Sequence, residues 1–353
     1  MKKNHTPGIK MNSILVLRLS SMGDVLLTLP VMLGILSNNP DLQLVFVTRK
    51  KFIPYFSGID RLIVIPFDPE GLHKGLPGLW RLFRDIRRYP LRSVVDLHGI
   101  LRTWLLDAFF LLTGCRIYRI RKHRKLRRKI LKHKKDGMSV PHTVTRYLKV
   151  FEKAGLTGKV SGSAFPSTND PTPIASTNID VIRIGIAPIS KHRTKNWGLK
   201  NVWELISLLR LKYSVEIHLF GGLEDQPVLN SLAGPDVFND AGFIDPLDEI
   251  SLIRTMDLFV SMDSANMHLA ALAGVATVSI WGATDPRLGF APLYQPDEYA
   301  LYADPTDVVC RPCSVYGEIP CRRSDAPMIC MNSIKPEQVL NKIIEILLLA
   351  DKN

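Results

Sequence analysis

An α/β chain with two doubly wound parallel sheets is what this sequence predicts, and three observations carry the prediction. Residues 14–36 (ILVLRLSSMGDVLLTLPVMLGIL) and 257–286 (DLFVSMDSANMHLAALAGVATVSIWGATDP) each pass from an apolar run through a small polar loop into a helical pattern, as a buried strand does when its turn opens a helix. Strand-like and helix-like stretches alternate on both sides of residues 161–180, the rhythm of parallel sheets. That stretch itself, SGSAFPSTNDPTPIASTNID, loses apolar periodicity to Ser, Thr, Pro and Asn and reads as a linker. At 353 residues the chain has room for two cores. The expected division is an N-terminal domain over 12–165, a linker over 166–180, a C-terminal domain over 181–334, and a closing helix over 335–350 free to pack back on the N-terminal domain. The halves are expected to face a cleft that holds a group-transfer site.

The elements follow in order. Residues 14–19 are apolar enough for a central parallel strand. A helix is expected over 24–36, strands over 42–48 and 62–66, and an amphipathic helix over 79–88. A strand at 93–97 leads through His98–Gly99 into a helical pattern ending near 112. After the linker come a strand at 182–187, a helix at 202–211, a strand at 216–220 and a turn at Gly221–Gly222. A helix at 247–256, a strand at 257–261 and a helix at 265–273 closed by Gly274 follow. Residues 277–281 form a further strand, and 336–349 a final amphipathic helix.

Composition excludes several classes. Charged residues make up 22% and hydrophobic ones 46% of the chain, which is globular rather than disordered. The net charge of +13 is concentrated: residues 116–135 hold twelve Lys or Arg and no Asp or Glu. Only Tyr118 is aromatic in that stretch, so base stacking is poorly supported and nucleic acid is not the expected partner. An anionic glycolipid or membrane surface is. No apolar run is long enough to span a bilayer, and residues 1–10 lack a signal-peptide layout, which points to a cytoplasmic protein. Cys310, Cys313, Cys321 and Cys330 have spacing that could hold zinc, but the second pair lacks zinc-ribbon spacing, so reduced thiols in a packed loop are expected and no metal is assigned.

Candidate chemistry sits at strand ends. In Ser20–Asp24 (SSMGD), Gly23 permits a tight turn and Asp24 falls at a helix start, where the dipole favours an ionised carboxylate. Asp24 either caps the helix or takes a proton from a sugar hydroxyl. Asp263 or Ser264 can cap the helix that carries His268, four residues after Ser264 on the same face. Amides at that helix start can bind a diphosphate. The loop 188–197 (PISKHRTKNW) supplies Ser190 and Lys195, whose cation can neutralise a diphosphate leaving group. Glu224, after another strand, can accept hydrogen bonds from a ribose. Neither G-x-G-x-x-G nor G-x4-G-K-[ST] appears where a dinucleotide or P-loop site needs it.

These residues together resemble glycosyltransferase family 9, which includes the ADP-heptose:lipopolysaccharide heptosyltransferases. The resemblance runs through 14–30, DLHGILRTWLL at 96–106, HTVTRY at 142–147, KNWGLKNVWELI at 195–206, LFGGLED at 219–225 and 263–286, with CRPC at 310–313 and CM at 330–331 like the tail of many members. It implies a GT-B fold, with the acceptor domain first and the nucleotide-sugar domain second. It implies an inverting, metal-independent enzyme without a cofactor, moving heptose from ADP-heptose to an anionic lipopolysaccharide precursor at the cytoplasmic surface of the inner membrane. Asp24 matches the proposed general base. Lys195, Ser264 and His268 match positions at the donor phosphates, Asp263 one near the donor sugar, Glu224 a ribose contact, and Ser190 stands with the donor set. Ser20, Ser21, His98, Arg102 and Arg146 are the acceptor-side candidates. The chain departs from the family in Ser264–Ala265, where Thr-Gly is common, and in His98, where Gln is common. A transferase for another nucleotide sugar, or a non-catalytic glycolipid- or nucleic-acid-binding protein on the same fold, are the alternative readings.

Overall fold

The computed structural model describes residues 12–133, 137–160, 164–165, 181–242 and 245–350, which form two compact units. The first contains the described residues of Met1–Lys122 and Thr143–Ser161, the second those of His123–His142 and Gly162–Asn353. The expected linker at 166–180 and the N-terminal ten residues lie outside the described residues.

In the first unit, β1 (Asn12–Leu17), β2 (Leu42–Arg49), β3 (Leu62–Phe67), β4 (Leu91–Asp96) and β5 (Arg116–Arg119) form one parallel sheet in the order β3-β2-β1-β4-β5. Leu15, Leu17, Val45, Val47 and Val94 are fully buried, which is why the sequence shows unbroken apolar runs and not alternation. The unit's helices are α1 (Met22–Leu26), α2 (Leu29–Asn38), α3 (Gly75–Ile86) and α4 (Leu101–Leu111); α5 (Arg124–Lys132) belongs to the second unit and α6 (Thr143–Lys153) to the first. The single helix expected over 24–36 is two. Pro30 has no N–H to donate and its ring crowds the carbonyl one turn back, so one helix stops at Leu26 and the next starts at Leu29 with Pro30 in its first turn. Thr28 Oγ1 donates to the Val25 carbonyl at 2.7 Å across the break.

The second sheet contains β6 (Ile182–Ala187), β7 (Val215–Leu219), β8 (Val237–Asn239), β9 (Leu258–Met262), β10 (Thr277–Trp281) and β11 (Ala300–Tyr302), all parallel, in the order β11-β10-β9-β6-β7-β8. Its helices are α7 (Leu199–Lys212), α8 (Gln226–Leu229), α9 (Pro246–Arg254), α10 (Ala265–Ala273), α11 (Ile329–Asn332) and α12 (Pro336–Ala350). Gly274 ends α10 at φ 90°, a conformation that costs glycine little. Strand order reverses between β1 and β4 in one sheet and between β9 and β6 in the other. In open α/β sheets, ligands gather beyond the carboxyl ends of the strands at such points.

Two segments differ from the sequence-based division. The described residues of 123–142, expected in the N-terminal domain, cluster with the second unit because Ile130 and Val140 pack on Leu288. The closing helix, given the option of returning to the N-terminal domain, completes the second unit's core. Val339, Leu340, Ile343 and Ile346 lie there, and α12 packs along α7.

Candidate active site

Asp24 lies in the first turn of α1, just beyond β1, with Ser21 at the N-cap position. Ser21 Oγ donates to Asp24 Oδ2 at 3.1 Å, and Arg18 forms an ion pair with the same carboxylate. Arg18 is itself buried at the end of an apolar run. It donates to the Leu97 carbonyl at 2.8 Å and sits 6.0 Å from the Tyr147 ring centroid. The Tyr147 hydroxyl donates to the Asp24 carbonyl at 3.1 Å. Thus α6 fixes the backbone of α1 while the β4 loop fixes Arg18, and the carboxylate is held from both sides.

The β4 loop is equally constrained. Asp96 Oδ1 accepts the amides of His98 and Gly99, both at 2.8 Å, and Asp96 Oδ2 accepts the Thr103 hydroxyl at 2.9 Å. Behind it, burial and the neighbouring Asp96 charge raise the carboxyl of Asp107 above the usual range, and Arg119 opposes that rise. His98 is buried, and its Nδ1 accepts the Leu19 amide at 3.4 Å. Burial, then the charges of Arg18 and Lys122, lower its pKa to about 3, with Asp24 opposing and Arg49 adding to the effect. The ring is therefore neutral near pH 7, and with Nδ1 accepting, its proton resides on Nε2.

Other acceptor-side candidates are placed differently. Ser20 is half-buried, and its peptide bond to Ser21 is cis. Arg146 is buried on α6, one residue from Tyr147, and donates to Thr143 Oγ1 at 2.6 Å. Arg102 is exposed on the first turn of α4. Sequence reasoning missed Arg18, Arg49 and Tyr147, and counted Lys122 only as one cation of the basic stretch. Arg18 had a signal, a lone cation inside a strand-forming apolar run. The others come together only through strand order and packing.

In the second unit, Ser190 and Lys195 follow β6, Glu224 follows β7, Asp263 and Ser264 follow β9, and Thr284 follows β10. Lys195 Nζ lies 3.2 Å from Asp263 Oδ2, which also accepts the Thr284 hydroxyl at 2.7 Å. The Lys195 stem lies against Gly317, where an added Cβ would come within 2.7 Å of Lys195 Cγ; Gly317 itself has φ 83°. Thr194 Oγ1 donates to the Gly317 carbonyl at 2.6 Å and ties that loop to the Lys195 turn. Ser190 donates its amide to Asn196 Oδ1 at 2.7 Å, while its hydroxyl is buried without a hydrogen-bond partner among the described residues. A buried hydroxyl without a partner is uncommon and needs an explanation. Ser264 occupies the N-cap position of α10 without a side-chain capping bond, and its hydroxyl lies 3.2 Å from that of Ser261. His268 is buried on the same helix. Glu224 is exposed in the turn after β7 and, among the described residues, makes no hydrogen bond or ion pair with Lys195 or Asp263.

The four clustered cysteines are free thiols, and burial, followed by nearby Cys313 and Cys310, pushes Cys330 up to about 11. Among the described residues no group of three or more His, Cys, Asp or Glu is arranged to hold a metal. Of the basic stretch, Arg127 is turned inward. It lies 4.5 Å from the Phe290 ring centroid and donates to the Tyr316 hydroxyl at 2.9 Å, so it anchors α5.

Comparison with known proteins bears on these two strand edges. The profile of Glycosyltransferase family 9 (heptosyltransferase) matches residues 79–310, about two thirds of the chain. The lipopolysaccharide core heptosyltransferase OpsX of Haemophilus influenzae is 22% identical over 286 residues, covering 78% of this chain and 80% of that protein. Lipopolysaccharide heptosyltransferase 3 of Escherichia coli is 24% identical over 292 residues, covering 74% and 80%. Among solved structures, E. coli ADP-heptose lps heptosyltransferase II superimposes with a TM-score of 0.67 at 17% identity, covering 96% of this chain and 99% of that one. E. coli heptosyltransferase WaaC solved with ADP gives 0.67 at 18%, covering 95% and 99%. The structural likenesses identify the architecture as GT-B.

Proposed function

Because the chain belongs to glycosyltransferase family 9, we propose that it is an inverting heptosyltransferase that moves heptose from ADP-heptose to the lipopolysaccharide inner core, in lipopolysaccharide core biosynthesis. The observation that carries this reading is a carboxylate, Asp24, held by Arg18 and Ser21 beyond the strand at the β1–β4 reversal. Its counterpart is the Lys195, Asp263 and Thr284 set beyond the β6–β9 reversal. Asp24 takes the proton of an acceptor hydroxyl as that oxygen bonds to the anomeric carbon. The bond from that carbon to the diphosphate breaks on the opposite face, and ADP leaves with the electron pair. The anomeric centre passes through an oxocarbenium-like state, as in other glycosyl chemistry. Lys195, the Ser190 hydroxyl and the first-turn amides of α10 meet the growing negative charge on ADP, so the reading assigns no metal to the step. Neutral His98 donates from Nε2 to the acceptor, with Arg18, Arg49, Lys122 and Arg146 supplying positive charge for its anionic groups. The OpsX and heptosyltransferase 3 likenesses support a lipopolysaccharide acceptor. The exposed cations within 116–133 suit an anionic glycolipid at the inner surface of the membrane; no helix among the described residues is long and apolar enough to cross one.

The test is direct. Purified protein is incubated with ADP-heptose and heptose-deficient core glycolipid, and the glycolipid is weighed by mass spectrometry. A gain of one heptose with release of one ADP is expected. Faster transfer from a UDP- or GDP-sugar reassigns the donor. Stoichiometric glycolipid or nucleic-acid binding without transfer from any of them replaces the enzyme reading with a binding one.

A further inference from the structure

The packed helices α3 and α4 of the first unit expose an apolar surface that the proposed transfer does not use. On α3, Leu76 and Trp80 lie one turn apart and are 61% and 48% exposed. On α4, Leu101, Trp104 and Leu111 are 69%, 46% and 61% exposed, and Leu112 at its C-cap is 86% exposed; their spacing keeps them on one side of the helix. The Trp80 ring meets Phe109 of α4 edge-on at 5.3 Å, so the two stripes sit on adjoining helices. Single exposed apolar residues are ordinary; six on one helix pair, two of them Trp, mark a surface with a partner.

The charges around the stripes identify the partner. Across α3, α4 and the two residues after α3, the exposed charges are Arg81, Arg84, Arg87, Arg88 and Arg102 against Asp85 alone. The other acidic residue there, Asp107, is buried and paired with Arg119. A second copy docked by two-fold symmetry would set this arginine rim against itself. A layer that is anionic at its surface and apolar beneath matches both parts: tryptophan favours the boundary between them and leucine the hydrocarbon below.

We propose that the α3–α4 face is a docking surface that seats the protein on an anionic phospholipid bilayer, with Leu76, Leu111 and Leu112 entering the acyl boundary and the arginines on the headgroups. The placement deepens the proposed lipopolysaccharide reading and takes its biological sense from it, because such a surface displays a membrane-held acceptor. Its physical basis differs from that of the basic helix α5. Contacts made by charge alone fade as salt is added, whereas buried apolar area does not.

Vesicles of phosphatidylglycerol and phosphatidylcholine, with and without brominated acyl chains, test this on the full-length protein without donor or acceptor. Sedimentation with the vesicles is expected to survive high salt, and brominated chains are expected to quench tryptophan emission. A Leu76→Ser/Leu111→Ser/Leu112→Ser variant, which keeps both tryptophans, should partition at least roughly tenfold more weakly and lose the quenching. Its thermal midpoint and its turnover on detergent-dispersed acceptor should remain those of the parent. Binding that vanishes in salt without quenching, or no binding, overturns the proposal. So does a concentration-dependent dimer abolished by the same substitutions. Vesicle binding that persists when no sugar transfer is found would defeat the enzyme reading and leave the docking surface standing.

Discussion

The two units solve one topological problem with opposite electrostatics. Each places a charged candidate, Asp24 in one and the Lys195–Asp263 pair in the other, beyond parallel strands where strand order reverses, yet the buried histidines of the two units differ. In the first unit, cations surround His98: burial, Arg18 and Lys122 drive its pKa down to about 3. In the second, His218 is nearly as buried, but its Nδ1 lies 2.7 Å from Asp240 and its Nε2 2.9 Å from Glu216. Burial alone would lower this pKa too, but the two carboxylates overcome it and raise the value. The contrast shows that burial alone does not decide the charge state of a ring; its neighbours add to the effect of burial at His98 and overcome it at His218. It accords with the division of labour proposed above, in which the first unit's strand edge takes the anionic acceptor and the second balances a cation, Lys195, against Asp263.

The largest effect that would break this division belongs to Asp24. Asp24→Asn keeps the shape but removes the base, and turnover should fall by about 10²–10⁴-fold while ADP affinity, measured calorimetrically, stays unchanged. A comparable loss of ADP affinity would mean the two edges do not act separately.

Next is Lys195→Met, which removes a charge-assisted contact of about 1.5–3 kcal/mol. Donor affinity should drop roughly 10–150-fold by the same measure, with the acceptor KM unaltered. Gly317→Val sharpens the point without touching a charge. The new side chain would intrude on the Lys195 stem and occupy a backbone angle of φ 83° that suits glycine. A rise in donor KM of about tenfold, equivalent to about 1.4 kcal/mol of misplacement, is expected together with a lowered thermal midpoint. A donor KM equal to the parent's would show that this loop does not position the lysine.

Near neutral pH the smallest effects are in stability; they grow toward acid and should have opposite signs. The His98 ring stays neutral in the folded chain down to about 3, whereas the unfolded ring takes a proton near about 6.5. Folding therefore loses up to about 1.4 kcal/mol per pH unit as pH falls through that window. His98→Gln should flatten this acid loss. His218 has the reverse linkage: its stabilising contribution is complete below the unfolded value and disappears as pH rises through the raised folded value. His218→Gln should therefore cost most at the acid end. Thermal midpoints recorded from acid to neutral pH check both, and parallel shifts in the two variants would refute the electrostatic contrast.

Much of this was legible before any coordinates. The strands at 14–19, 42–48, 182–187 and 277–281 announce themselves because a strand covered on both faces must be apolar throughout. Asp24, Ser190, Lys195 and Asp263 follow such runs, so their place beyond strand ends is a consequence of chain order. The break at Pro30 was also written in the sequence, but the apolar periodicity on either side of it masked the missing donor. The short strands β5, β8 and β11 had too few residues to show a period.

The amino-acid order by itself determined the α/β class, the two sheets and which polar loops follow which strands, because these depend on local spacing and on the need to bury apolar runs. Only the tertiary structure decided that Arg18 reaches Asp24, that Tyr147 holds the backbone of α1, that α5 and α12 complete the second unit, and that His98 and His218 are pushed in opposite directions. Those outcomes rest on pairs separated by up to 189 residues, and no local period carries the distance, the partner or the field that one distant residue brings to another.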